Sequence, residues 1–96
     1  MKQNRIEEEK KWEDEVIVSE ERDYKAKYRE IGLKVTYYRK LRGYTKLQLS
    51  ERTGIKLEYL KNLENPNKYM EPSIGALFRI SDALEIKIEK LMESVI

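Results

Sequence analysis

Ninety-six residues with 20 Lys/Arg against 18 Asp/Glu, a formal net charge of +2, describe one small domain with a single core and, at 40% charged residues, a heavily solvated surface. The chain has neither cysteine nor histidine, which excludes a disulfide framework and a thiolate or imidazole metal site and removes the commonest general base. No apolar run approaches the roughly 20 residues of a membrane span, and the charged start lacks a signal-peptide core, so a soluble cytoplasmic protein with no membrane contact, metal or cofactor is expected.

The charge is unevenly spread. Residues 1–22 hold 5 Lys/Arg against 8 Asp/Glu, residues 23–70 hold 12 against 5, and residues 71–96 hold 3 against 5. A basic middle between acidic ends suits a polyanion-binding face, although an ordinary mixed surface has the same composition.

The first 18 residues are polar, with clustered charge. Glu7 and Lys11 stand at helical pairing distance, but Glu9 and Glu13 repel at the same spacing. The segment reads as an arm, frayed alone and helical when docked through Trp12 and "VIV" (Val16–Val18); a disordered tail fits it equally well. Ser19 followed by Glu20 and Glu21 is a predicted helix start. Tyr24, Tyr28, Ile31, Val35 and Tyr38 then recur at steps of four and three, a helical core stripe that ends at Gly43 after the basic "RKLR". Thr45 caps a second predicted helix that runs through Thr53. Gly54 breaks it, and a third helix spans about Lys56 to Glu64. "NPNKYMEP" is a loop on its two prolines and two asparagines. Ser73 caps a fourth helix with Leu77, Ile80 and Leu84 on one face, and a fifth short helix carries Ile88 and Leu91. Strand-type alternation of useful length is missing, so the fold class is all-α, with five core helices and an N-terminal arm.

The second and third helices, joined through one glycine, are a helix-turn-helix candidate. The turn needs a residue that tolerates positive φ, which Gly54 supplies. A close helix crossing needs a small side chain, and Ser50 stands there. Leu49, Ile55, Leu60 and Leu63 fall on the inner faces and set the angle between the two helices. Glycine alone is a weak signal; with one small and four apolar residues in place the signal is strong.

On these residues the sequence resembles the Cro/C1-type, or XRE-like, helix-turn-helix regulators, over roughly Ile31 to Met92. "IGLKVTYYRKLRGYT" is similar to the family's first helix, "LSERTGI" to its turn, "YLKNLEN" to the second half of its recognition helix, and "EPSIGALFRISDALEI" to its fourth helix and exit. The resemblance implies a five-helix, lambda-repressor-like DNA-binding domain over residues 23–96, preceded by an arm at residues 1–22. It also implies that Arg39 and Glu64 pair between the first and third helices.

Under the same resemblance, Leu57, Glu58, Lys61 and Asn62 are the expected base-contacting residues. Thr45, Lys46, Lys56, Asn65, Asn67, Lys68 and Tyr69 are the expected phosphate contacts. Lys46 stands where the family usually has glutamine, and Lys56 where it has a serine or threonine cap. Lysine serves a phosphate as a point charge rather than an oriented amide. Leucine packs on a thymine methyl, glutamate accepts from cytosine N4, and asparagine reads adenine; the strong arginine–guanine contact is absent from this set. The expected function is sequence-specific binding of double-stranded DNA by a homodimeric transcriptional regulator, with the dimer surface on the C-terminal helices or the arm. The alternative is an antitoxin-like module on the same fold that takes a protein partner through the arm. An enzyme is not expected, because no catalytic constellation stands in a recognisable frame.

Overall fold

The computed structural model describes residues 21–93, with side chains from residue 24 onward. The predicted cap at Ser19 and the arm residues Trp12 and Val16–Val18 lie outside this range. Five helices follow in order among the described residues: α1 (Glu21–Leu41), α2 (Lys46–Thr53), α3 (Leu57–Glu64), α4 (Ile74–Leu84) and α5 (Glu89–Met92).

Helices α2 and α4 begin where a side chain accepts a free N–H group, whereas α3 and α5 have no side-chain cap. Thr45 accepts from the Gln48 N–H at 3.0 Å, and Gln48 Oε1 accepts the Thr45 N–H at 2.8 Å, a reciprocal capping box at the start of α2. Ser73 accepts from the Ala76 N–H at 3.1 Å and opens α4. Gly54, at φ 74°, ends α2 in the left-handed conformation that only glycine adopts without strain. The turn is held further by Thr53, which donates to the Leu49 carbonyl at 2.7 Å and accepts the Ile55 N–H at 3.1 Å.

The core runs through all five helices: Ile31 and Val35 from α1, Leu49 from α2, Leu60 and Leu63 from α3, Leu77, Ile80 and Leu84 from α4, and Leu91 from α5. Full burial of each such side chain contributes about 1.5–3 kcal/mol. Tyr28 and Tyr38 pack half-buried against this cluster. Tyr24, the first residue of the predicted stripe, does not join it and is 45% exposed. The periodicity marks a face of α1, but the bundle stops one turn before that face does. Tyr24 therefore borders surface grooves instead of core.

The tightest crossing lies between α1 and α3. A methyl group placed on Gly32 would overlap the Leu63 carbonyl oxygen, well inside van der Waals contact. Glycine lets the two backbones touch at this point, which fixes where α3 sits along α1. Ser50, the small residue expected between α2 and α3, holds that corner by donating its hydroxyl to the Ile55 carbonyl.

Candidate nucleic-acid interface

Helix α3 has one face locked and one face open. On the locked side, Glu64 and Arg39 are only 6% and 7% exposed. Arg39 Nε donates to both Glu64 oxygens at 3.1 and 3.0 Å, and Nη2 donates to Oε1 at 2.9 Å. Its remaining arm, Nη1, donates to the Tyr44 carbonyl at 2.7 Å, and the Thr36 hydroxyl donates to Glu64 Oε1 at 2.7 Å. A buried ion pair tolerates its desolvation only when the remaining polar atoms find partners, and here they do. The pair ties the C-terminal end of α3 to α1 about two turns beyond Gly32. Tyr59 adds a tie at the other edge, accepting the Ser73 N–H at 3.0 Å and joining α3 to the start of α4.

On the open side, Glu58 and Lys61 are exposed, and Leu57 and Asn62 are half-exposed. Lys56 occupies the cap position of α3 in extended conformation and makes no side-chain cap bond. The first N–H groups of α3 thus have no side-chain acceptor at the cap, and a helix N-terminus of this kind favours an anion. Lys46 begins α2, and Thr45 beside it uses its oxygen as an acceptor for Gln48, which leaves its hydroxyl proton to donate outward.

The loop after α3 is shaped by its own side chains. Asn65 Oδ1 accepts the Asn67 N–H at 2.9 Å, an Asx turn, so this expected phosphate contact also sets the loop's course. Lys68 Nζ donates to Asn62 Oδ1 at 3.2 Å, which couples an expected phosphate contact to an expected base contact. Tyr69 carries the Lys25 ammonium 5.0 Å from its ring centroid. Thr45, Lys46, Lys56, Leu57, Glu58, Lys61, Asn62, Asn65, Asn67, Lys68 and Tyr69 thus stand on α2's start, α3's open face and the following loop. Beside the loop, burial and then the Glu71 carboxylate push the Tyr28 phenol above its ordinary value.

Several supporting residues escaped the sequence reading. Gln48 was legible as the third residue after Thr45, the T-x-x-Q box. Arg52 lies over the Tyr44 ring at 4.3 Å, and Arg79 donates to the Thr53 carbonyl at 3.0 Å; both brace α2, and no spacing rule points to either.

A helix-turn-helix family model matches residues 35–91, which span α2, the Gly54 turn, α3 and the helices that hold them. The chain belongs to the Cro/C1-type helix-turn-helix family. It is 33% identical over 63 residues to the HTH-type transcriptional regulator SinR of Bacillus subtilis (strain 168), a match covering 66% of this chain and 56% of the relative. SinR of Bacillus licheniformis is 34% identical over 62 residues, covering 65% of this chain and 55% of the relative. The helix-turn-helix chain therefore spans about half the length of these curated relatives. Among solved structures, SinR, the master regulator for biofilm formation, in complex with DNA, superposes with a TM-score of 0.62 at 33% identity, covering 66% of this chain and 98% of that one. Among the described residues no helix is long and apolar enough to cross a membrane.

Proposed function

We propose that the protein binds double-stranded DNA sequence-specifically and regulates transcription, with α3 in the major groove. The observation that carries this reading is the asymmetry of α3. Its inner face is tied down through Arg39, Glu64 and Tyr59, while Glu58 and Lys61 are exposed and Leu57 is half-exposed, with Lys46, Lys56 and Lys68 on the adjoining segments. A rigid helix with cations on both flanks can be placed against two phosphate backbones while its open face meets base edges. The similarity to SinR, solved in complex with DNA, supports the same reading. In it, residues 23–96 form the DNA-binding unit, residues 1–22 form an arm, and two copies bind paired half-sites.

Glu58 gives the reading a sharp test. A carboxylate near the groove is repelled by phosphate on every sequence, and cytosine N4 is the base donor that offsets this. Selection from randomised duplexes by the parent and by Glu58→Ala measures both effects. The variant should bind random DNA more tightly and lose roughly 1–3 kcal/mol of discrimination at one half-site position. A uniform rise in affinity with an unchanged preference would make Glu58 a bystander.

One observation favours a second reading, a module that takes a protein partner. Leu33, Tyr37 and Leu41 form an i, i+4, i+8 row on the outer side of α1 and are 50%, 60% and 66% exposed. An apolar row of this kind marks interaction surfaces more often than bare solvent. If neither parent nor variant selects any sequence, this reading takes first place.

A further inference from the structure

Helix α1 extends more than two turns ahead of the Gly32 crossing, and ahead of the family match that begins at residue 35. That extension runs beside the loop after α3. Tyr24, Lys25 and Tyr28 from α1 face Tyr69 and Glu71 from the loop across a groove of about 250 Å³. One contact joins the groove's walls: the Lys25 ammonium sits 5.0 Å from the centre of the Tyr69 ring. Their position is set from below, because the Gly32–Leu63 contact fixes α1 along α3 just before the loop begins.

We propose that Lys25, seated over Tyr69, is a further DNA phosphate contact, one that lies outside the helix-turn-helix itself and lengthens the interface along the backbone. The assignment rests on the DNA-binding reading above. Tyr69 and Lys68 belong to the loop that would follow the phosphates, and Lys25 shares their rim. An aromatic ring under an ammonium does not neutralise it; the ring limits where the charge can go while its outer side stays solvated. Lys25 is exposed, so its charge remains available to a second, anionic neighbour. Among the described residues Glu71 is the one carboxylate that lines the groove, and it would repel a phosphate, so the phosphodiester meets Lys25 on its outer, solvated side. The ligand is a phosphodiester of the duplex flanking the bases that α3 reads. The contact adds affinity on all sequences alike and carries no base preference.

The test is duplex affinity of the full chain as a function of salt, for the parent, Lys25→Gln, Lys25→Arg and Lys46→Ala, with the melting temperature of each. One phosphate contact contributes a slope of about 0.9 in log affinity against log salt. Lys25→Gln should flatten the slope by that amount and bind about eightfold more weakly at 0.1 M salt, converging on the parent near 1 M. Lys25→Arg should keep the parent slope, which assigns the effect to charge. A cation that merely pins Tyr69 would shift melting and leave the slope alone. If Lys25→Gln keeps the parent slope while Lys46→Ala flattens it, the Lys25 contact is wrong and the DNA reading stands. If the parent shows no salt-dependent binding to duplex DNA, the reading itself fails and the Lys25 assignment falls with it.

Discussion

The two faces of α3 differ in how completely neighbouring atoms determine them. The inner face is over-determined: a backbone-to-backbone contact at Gly32, a buried guanidinium–carboxylate fork and a tyrosine tie each fix the same helix. The outer face is held by little besides the helix itself, and its one described side-chain bond is the 3.2 Å contact between Lys68 and Asn62. Rigidity behind and latitude in front suit a part that must be aimed the same way whatever sequence it meets. Residues on the open face can change without disturbing the aim; residues behind it cannot.

This contrast can be broken from the inner side. Arg39→Ala strands the buried Glu64 carboxylate and should lower unfolding free energy by about 3–5 kcal/mol. Removing both partners should cost less than the sum of the single losses, and a double-mutant cycle in chemical denaturation reads that coupling. Gly32→Ala drives a methyl group into the Leu63 carbonyl and should cost about 3 kcal/mol or leave the chain unfolded, as circular dichroism melting will show. Smaller effects sharpen the picture at the helix ends. Thr45→Ala deletes the hydroxyl that caps the Gln48 N–H, keeps the backbone N–H that Gln48 accepts, and should cost about 1 kcal/mol, again by denaturation. Glu85 ends α4 at φ 58° without being glycine, so Glu85→Gly should stabilise by roughly 0.5 kcal/mol, seen as a small rise in melting temperature.

Much of the frame around α3 was legible in the sequence, because it rests on local chemistry. Thr45, Gly54 and Ser73 mark helix ends through their own side chains or lack of one, and the helical spacing of Leu77, Ile80 and Leu84 names their buried face. What escaped depends on how helices meet in space. Gly32 reads as an unremarked glycine inside a helical stripe until α3 crosses it. Tyr24 has the right period for the core, but periodicity does not say where the bundle ends. The outer face was legible as residue types on an exposed helix. Its couplings, Lys68 to Asn62 and Lys25 to Tyr69, join loop or extension to helix and leave no mark in local spacing.

The central claim, that DNA meets the open face of α3 and leaves the locked face untouched, is tested most directly by backbone amide chemical shifts during titration with a selected duplex. The account predicts large shifts at Thr45 and Lys46, along Leu57 to Asn62 and through Asn65 to Tyr69. It predicts little change at Ile31, Val35 and Leu84 in the core. Shifts concentrated on Leu33, Tyr37 and Leu41, with α3 unmoved, would contradict it and place the binding surface on the outer side of α1.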